Sequence, residues 1–163
     1  MKLTVALGAW HGRIRRTLFS ALVATLALGC QTPRWPIRGP IRSPFGLRME
    51  GLRPDVHRGV DISAPMGTPV RPIMDGRVRF AGEMSGYGSV IWVDHGESLL
   101  SLYAHLSEIR VEAGAPVGRA EVIGLTGASG NAQGAHLHLE VWRWGREVDP
   151  VQFLGGPPPP ATE

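Results

Sequence analysis

The chain of 163 residues has a single cysteine, few aromatic side chains and no long apolar run. The lone Cys30 excludes an intramolecular disulfide framework and a zinc site made of cysteines alone. The apolar run over 17–29 is uncharged, but as a helix it would extend only about 20 Å, short of the roughly 30 Å hydrocarbon core of a bilayer. These absences exclude a disulfide-stapled scaffold and argue against a membrane-spanning helix.

A strong excess of one charge is also missing once the N-terminus is set aside. The formal net charge is +3, from 17 basic and 14 acidic residues. Four basic residues and no acidic residue precede residue 30, namely Lys2, Arg13, Arg15 and Arg16. The remainder carries 13 basic and 14 acidic residues, a balance of −1. A near-neutral domain has no electrostatic footprint for nucleic acid, so we predict no nucleic-acid partner.

The first 29 residues predict an export signal. A basic stretch precedes the apolar run, and small residues lead up to Cys30, as in a secretory signal peptide. The segment LALGC resembles a bacterial lipobox, whose cysteine is lipidated and becomes the new N-terminus. The resemblance implies an exported lipoprotein that is anchored in a membrane through Cys30 and faces the cell wall, in the periplasm or at the outer membrane if the cell is Gram-negative. Ordinary signal cleavage that leaves a free thiol is the alternative.

Composition divides the rest of the chain into three parts. Four prolines over 31–44 exclude a helix, and we predict that residues 30–44 hold the lipidated cysteine and a proline-rich tether. Residues 45–154 form the predicted domain. Residues 155–163, GGPPPPATE, are expected to be a solvated tail with polyproline character.

Within the domain, turn residues separate short runs of strand-like sequence. The 22 glycines and 14 prolines of the chain favour turns over helices. The runs cover residues 69–73, 76–82, 89–96, 99–106, 121–127 and 136–144. In the last run, Leu137, Leu139 and Val141 fall on one face of a strand. The predicted fold class is all-β, a small antiparallel sheet, barrel or sandwich without a helix of more than a turn or two.

Two motifs in this domain have the spacing of metal ligands. His57 and Asp61 form an H-x-x-x-D motif, and because Gly59 disfavours a helix we expect them to meet across a turn. His136 and His138 form an H-x-H motif, and on a strand their side chains would share a face, about 6–7 Å apart at Cα. Either motif alone is a weak signal. Two pairs in a chain with six histidines indicate one shared site.

These residue types suit a catalytic metal. Catalytic zinc takes three nitrogen or oxygen ligands from the protein and keeps a position open for water. His57, Asp61 and one histidine of the H-x-H pair supply that set, and two imidazoles with one carboxylate favour Zn²⁺ over Mg²⁺ or Ca²⁺. Further histidines can manage protons, which predicts metal-assisted hydrolysis of an amide. His95, in the segment DHG, is expected to be a turn residue instead.

Seven segments follow one another in a recognisable order between Trp35 and Leu154. They read WPIRGPIRSPFGLR, HRGVDISAPMGTPV, DGRVRFAG, GYGSVIWVDHG, LYAHL, VIGLTGASG and GAHLHLEVW. The ordered set resembles the lysostaphin-type (LytM-like) zinc endopeptidases, which cut peptide bonds in bacterial peptidoglycan. The resemblance implies a lysostaphin-like fold, the duplicated hybrid motif, with the metal on the floor of a β-sheet groove.

The same resemblance implies a role for each site residue. His57, Asp61 and His138 would bind one zinc ion. His105 and His136 would be the non-ligand pair that orients water and stabilises the tetrahedral intermediate. The sequence thus predicts a zinc endopeptidase that hydrolyses peptide cross-links of peptidoglycan in cell-wall remodelling, with the peptide stems as its partners.

Three alternatives stand beside this prediction. The first is a non-catalytic relative that activates a cell-wall amidase; such relatives typically have lost zinc ligands or the histidine pair, whereas all five positions are filled here. The second is a phosphocarrier with paired histidines, which the predicted export and Asp61 disfavour. The third is a purely structural or binding lipoprotein.

The sequence also favours one type of scissile bond and one means of controlling activity. Glycyl-glycine bridges and D-Ala-to-diamino-acid cross-links are both cut within the family, and the lipoprotein signal favours direct cross-links. Only about 15 residues separate Cys30 from the domain, too few to plug the groove, so we expect control by a regulatory protein partner or by localisation.

Overall fold

The computed structural model describes residues 32–50 and 53–161, so the predicted signal peptide and Cys30 lie outside the described residues. The described part forms twelve strands and one short helix. In chain order they are β1 (Ile41–Ser43), β2 (Gly46–Glu50), β3 (Arg53–His57), β4 (Val60–Ser63), β5 (Pro69–Val70), β6 (Gly76–Met84), β7 (Gly88–Asp94), β8 (Leu99–Ile109), β9 (Pro116–Val117), β10 (Gly124–Thr126), β11 (His136–Arg143), β12 (Arg146–Val148) and α1 (Pro150–Phe153). Within the described residues, no helix is long and apolar enough to cross a bilayer.

Ten of the strands form one sheet. Its main path runs β1-β4-β11-β8-β7-β6-β9, with β12 beside β11 and β10 beside β8 and β5. Strands β2 and β3 form a separate two-stranded hairpin. Every pairing is antiparallel, as short alternating runs joined by glycine- and proline-rich turns predict. The predicted all-β antiparallel fold is therefore confirmed.

Strand β11 divides the apolar core from a polar face. Leu137, Leu139 and Val141 have no exposed surface and lie in the main core, as the alternation of the sequence predicts. Because successive side chains on a strand point to opposite faces, His136 and His138 share the other face. The strand thus holds two histidines on a rigid element whose reverse side is fully packed.

The strand predicted within residues 69–73 is shorter than its sequence run. Only Pro69–Val70 of the run 69–73 is paired, because Pro72 has no N–H to donate to a ladder. Ile73 is nevertheless fully buried, and its N–H donates to the hydroxyl of Tyr103 at 2.8 Å. A side chain therefore satisfies the backbone where the sheet stops.

The segment before the predicted domain boundary, which the sequence analysis describes as a proline-rich tether, packs on the sheet. Ile37 is only 6% exposed, and the N–H of Arg34 donates to the carbonyl of Ile73. Farther on, Ile41–Ser43 is strand β1 and pairs with β4. Proline excludes a helix, but it leaves neighbouring side chains and carbonyls able to pack.

The C-terminal segment, which is predicted to be a solvated tail, makes two hydrogen bonds to the same region, and most of its residues are exposed. The indole N–H of Trp35 donates to the carbonyl of Gly156 at 3.0 Å. The N–H of Gly39 donates to the carbonyl of Pro159, also at 3.0 Å. The exact bounds of the domain, 45–154, stay a prediction, but contacts extend beyond both of them.

Candidate metal centre

Asp61 lies between two strands that each bring a partner to it. On β1, Ser43 is its cross-strand neighbour, and on β11 the neighbour is His138. His57 is the last residue of β3 and approaches Asp61 across the short turn that separates β3 from β4. The expected meeting of His57 and Asp61 across a turn is what the structure shows.

Gly59 allows this turn to lie against the sheet. A Cβ on Gly59 would be 2.2 Å from the carbonyl oxygen of Leu139, far closer than any van der Waals contact. Leu139 immediately follows His138 on β11. The missing side chain therefore lets the chain between His57 and Asp61 approach the strand that carries the third residue of the cluster.

Three atoms of this cluster converge on one point. His138 Nδ1 lies 2.8 Å from Asp61 Oδ1, and His57 Nε2 lies 3.2 Å from the same oxygen. The two ring nitrogens are 3.1 Å apart. Both histidines are buried, at 4% and 6% exposure, and Asp61 is partly buried. The structure thus gathers the three residues for which the sequence predicts metal binding.

In each ring, the hydrogen bond made by the far nitrogen, which points away from Asp61, determines whether the near nitrogen, which faces Asp61, has a lone pair. His57 Nδ1 lies 2.8 Å from the carbonyl oxygen of Pro44, which only accepts, so Nδ1 carries the proton. His138 Nε2 lies 3.1 Å from Glu140 Oε1 and donates to that carboxylate. In neutral rings the near nitrogens then have lone pairs, and these face the carboxylate of Asp61. Three acceptors that meet without a donor require a cation or an extra proton between them.

The set of donors fits a metal of the zinc type. Ligands about 2.0–2.1 Å from a tetrahedral ion lie about 3.3 Å from one another, close to the separations seen here. Two imidazole nitrogens and one carboxylate oxygen are borderline ligands that suit Zn²⁺ better than Mg²⁺ or Ca²⁺. The second partners of the two rings, a backbone carbonyl for His57 and the buried carboxylate of Glu140 for His138, are typical of zinc-binding histidines. The residues present therefore fit one zinc ion.

The pKa values follow from the same contacts. Burial raises the pKa of Asp61, but its close contacts with the rings of His138 and His57 outweigh burial and hold the pKa well below its ordinary value. Burial lowers the pKa of His138, yet its bonds to Asp61 and Glu140 leave that pKa raised. In the metal-free protein, a proton on His138 can therefore sit where the acceptors converge.

His105 and His136 form a second pair beside the first cluster. Their ring centroids are 4.7 Å apart. His105 Nδ1 donates to the carbonyl of Ser129 and His136 Nδ1 to that of Gly134, both at 2.8 Å. Each Nε2 is left as an acceptor, and that of His136 lies 3.7 Å from Asp61 Oδ1. Burial lowers the pKa of His105, so its ring is neutral at neutral pH.

A bulge in β8 places His105. Between β7 and β8 the register moves from Ser89↔Leu106 to Ile91↔Tyr103, so β8 has one residue more than β7 over this stretch. His105 has a φ of 60°, a conformation that costs a non-glycine residue about 1–3 kcal/mol. A bulge bends the strand and re-aims a side chain. The backbone is thus strained at a residue whose ring faces the cluster.

Glu140 is a buried carboxylate that the sequence analysis did not single out. It has no exposed surface, and besides His138 it accepts from the Tyr87 hydroxyl at 2.8 Å and from the Trp142 indole N–H at 2.6 Å. Burial raises the pKa of Glu140, but the hydrogen bonds outweigh it and the pKa is lowered. The signal in the sequence was its place two residues after His138, on the same face of a strand.

An open groove runs over both groups of histidines. Its volume is about 620 Å³, and residues from the hairpin, from β1 and from the loop before β11 line it, among them Arg42, Arg48 and Gln133. Arg48 is held in place by Asp55 Oδ2 at 2.9 Å and by Ser43 Oγ at 3.0 Å. The volume of the groove lies within the range of about 300–1,000 Å³ that is typical of ligand-binding clefts.

His95 lies outside this site. It follows β7, and its ring bridges the carbonyl of Asp75 at 2.9 Å and the hydroxyl of Ser101 at 2.7 Å. Burial lowers the pKa of His95. The structure places it after a strand end, in a loop, and not among the candidate ligands.

Comparisons with known proteins identify relatives of this chain. The sequence model of peptidase family M23 matches residues 55–150. The chain is 41% identical over 125 residues to the DD-carboxypeptidase/endopeptidase Mpg of Neisseria meningitidis serogroup B, and the match covers 76% of this chain and 29% of Mpg. It is 38% identical over 122 residues to the murein hydrolase activator EnvC of Escherichia coli K12, which covers 74% of this chain and 28% of EnvC.

A solved structure gives the same relationship. The catalytic domain of the antimicrobial peptidase lysostaphin from Staphylococcus simulans is 29% identical, with a TM-score of 0.60, and the match covers 74% of this chain and 91% of that domain. The chain spans less than a third of the length of Mpg and of EnvC. The region matched by the family model contains all five candidate site residues, which are His57, Asp61, His105, His136 and His138. The predicted relationship to lysostaphin-type enzymes is thereby confirmed, and the chain belongs to peptidase family M23.

Proposed function

We propose that this protein is a zinc-dependent endopeptidase that hydrolyses peptide cross-links of peptidoglycan during cell-wall remodelling. One observation carries the proposal. Three acceptor atoms, from His57, Asp61 and His138, converge in a groove onto which His105 and His136 also face. A cation site with two adjacent bases is one of the arrangements that can hydrolyse an unactivated amide.

In this proposal His57 Nε2, Asp61 Oδ1 and His138 Nδ1 hold the metal. When bound, zinc supplies a Lewis acid that polarises a carbonyl group and lowers the pKa of a water molecule to about 7. The protein contributes the fixed direction of the three donors. The carbonyl of Pro44 and the carboxylate of Glu140 hold the two rings with their lone pairs inward.

The second pair of histidines handles protons and charge. His105 is neutral at neutral pH, and its Nδ1 is held by Ser129, so its free Nε2 can accept a proton from the attacking water. A protonated Nε2 can donate a hydrogen bond to the oxygen on which negative charge develops, and it then gives its proton to the amide nitrogen, which leaves as the free amine. His136, held in the same manner by Gly134, faces the same space. Both rings are held by backbone carbonyls, which favours a fixed geometry during the reaction.

A role as an activator of another enzyme is the second candidate, because EnvC is 38% identical over 122 residues. The two candidates differ in what the groove does. An endopeptidase needs the two histidine groups for turnover, whereas an activator needs a surface that binds its target. The complete set of five residues supports the endopeptidase.

The location of the protein follows from a part of the chain outside the described residues. We propose export and lipidation at Cys30, which would anchor the domain at a membrane and in contact with the cell wall. Labelling cells with a fatty-acid analogue tests this. Label on the wild type but not on the Cys30→Ser variant is expected, and label on both would reject the anchor.

The test of function is a digest of purified sacculi by residues 31–163, with and without a chelator, read by mass spectrometry. We expect a chelator-sensitive loss of cross-linked dimers and new free termini in the peptide stem, which would also identify the bond. His95→Asn is the matched control, since it changes a histidine outside the groove, and it should digest like the wild type. Intact cross-links in the presence of bound zinc would reject the endopeptidase, and stimulation of an added amidase under those conditions would establish the activator.

A further inference from the structure

Two arginines line the groove, and the charge of one of them, Arg42, is not paired with any group among the described residues. The lining of the groove includes Arg42 and Arg48 but only one carboxylate, Asp61. Arg48 is already paired, since Asp55, Ser43 and Asp61 all lie within 3.7 Å of its guanidinium. Arg42 is exposed, and over 32–50 and 53–161 no ion pair or side-chain hydrogen bond engages it.

A bulge directs Arg42 into the groove. On β1 the register moves from Ile41↔Ile62 to Ser43↔Asp61, so Arg42 is the extra residue with no partner in the ladder. Bulges of this kind re-aim a side chain, often beside an active site. Without the bulge, Arg42 would point to the face opposite that of its neighbour Ser43.

The side chain of Arg42 extends towards the loop that leads into His136. Its NH1 atom lies 3.6 Å from the position that a Cβ on Gly134 would occupy. The carbonyl of Gly134 accepts from His136 Nδ1 at 2.8 Å. The free guanidinium is therefore next to the residue that holds one of the two candidate bases, within the groove in which substrate would lie.

A guanidinium in this position selects for an anion. Its planar set of N–H donors matches a carboxylate in a two-bond arrangement, and such charge-assisted bonds are among the stronger ones in proteins. Because Arg48 is already paired with Asp55 and Asp61, the unengaged charge of Arg42 is what favours a substrate that is negative near the scissile bond.

We propose that Arg42 forms a carboxylate-binding subsite, and that the substrate is a cross-linked stem with a free carboxylate beside the bond that is cut. The inference rests on the proposed endopeptidase function. A direct cross-link through a diamino dicarboxylic acid has such a carboxylate at the residue that supplies the amine. A residue inside a glycine bridge has none. The subsite therefore assigns the protein to direct cross-links.

The experiment uses two synthetic cross-linked peptides with the same D-Ala-to-diamino-acid bond. In one the carboxyl group beside the bond is free, and in the other it is a carboxamide. The wild type should cleave the free acid about tenfold faster in kcat/KM, mainly through KM, as expected for a charge-assisted hydrogen bond. Arg42→Gln should lose this preference, because its kcat/KM falls for the free acid and not for the carboxamide. Arg42→Lys should retain part of the preference.

Arg79→Gln is the matched control. Arg79 is also exposed, at 65% of its side chain, and lies on β6 outside the groove lining. It should keep the full preference of the wild type. Equal rates of the wild type on the two peptides, or an undiminished preference in Arg42→Gln, would overturn the subsite.

A binding measurement separates this inference from the proposed function. The affinity of chelator-treated protein for each peptide, measured by calorimetry, does not depend on turnover. If neither peptide is cleaved, the endopeptidase is rejected, yet tighter binding of the acid that is lost in Arg42→Gln would still establish the subsite. Equal affinity for the two peptides, or no binding of the acid, rejects the subsite.

Discussion

Glu140 Oε1 lies 3.1 Å from His138 Nε2, on the side of the ring away from the point where the candidate ligands meet. Glu140 has no exposed surface and is itself held by Tyr87 and Trp142. A carboxylate in this position fixes which nitrogen of His138 carries the proton and makes the other nitrogen more basic. The buried network thus prepares His138 for a cation before any cation binds.

The Glu140→Gln variant tests this arrangement. We expect its zinc affinity to fall about 10–100-fold, because an amide is a weaker acceptor for His138 and its N–H₂ group opposes the donors Tyr87 and Trp142. Competition with a chromophoric chelator measures the dissociation constant. Glu121→Gln is the control, because Glu121 is exposed and its side chain accepts from the backbone N–H of Gly118. Equal zinc affinity of the Glu140 variant and the wild type would contradict the role of the network.

A metal assay should distinguish the proposed zinc ligands from the histidines proposed to transfer protons. His138→Ala should lose zinc, because it removes one of the three proposed ligands. His105→Ala should keep zinc and lose about 10²–10⁴-fold in rate, because a positioned acid or base contributes that much. Metal content by atomic emission and turnover on sacculi are measured on the same samples. Full zinc occupancy in the His138 variant would refute the ligand assignment, and full activity in the His105 variant would refute its role in proton transfer.

Gly59→Ala should disturb the fold and the metal site together. The added methyl would meet the carbonyl oxygen of Leu139 at 2.2 Å, so the turn must move away from β11. We expect a loss of about 2 kcal/mol or more in the free energy of unfolding, together with weaker zinc binding, since the same turn positions His57. Gly118→Ala is the control, because its Cβ would have Asp75 Oδ1 as nearest atom, at 3.9 Å. Denaturant unfolding that gives the same stability for both variants would show that the turn can shift freely.

The buried His95 should make the stability of the folded protein depend on pH. Burial lowers its pKa in the folded protein below the ordinary 6.5, so the unfolded chain takes up a proton first as the pH falls. The contribution of His95 is therefore fully present above about pH 6.5 and is lost as the pH falls through that value towards the folded pKa. The stability gap between the wild type and His95→Gln should narrow between about pH 7.5 and 5.5. A constant gap, or an NMR titration of His95 at or above 6.5, would contradict this.

The candidate ligands were predictable from sequence because their spacing has a direct geometric meaning. The period of two along a strand puts His136 and His138 on one face, and Gly59 makes a turn between His57 and Asp61 the natural conformation. Neither inference needs knowledge of tertiary contacts. The assignment of separate roles to His136 and His138 needed more, and came from the resemblance to a family.

The features that the sequence analysis missed depend on long-range contacts. Tyr87 and Glu140 are 53 residues apart, and nothing local to either predicts their hydrogen bond. Arg42 belongs to a stretch that its prolines mark as a tether, but its direction is set by a bulge against β4. The bulge at His105 is likewise a matter of register between two strands. Register is a property of paired strands, which a single strand sequence specifies poorly.

The bonds from Trp35 to Gly156 and from Gly39 to Pro159 bring the two ends of the described fold side by side. A domain whose ends meet can be inserted into a longer polypeptide with little strain, or cut elsewhere and rejoined at this point as a circular permutant. Such an arrangement suits a module that relatives about three times as long contain as one part of their chains. Because its ends meet, this M23 domain can be joined to different neighbouring segments, and so be held at different places, without any change to its groove.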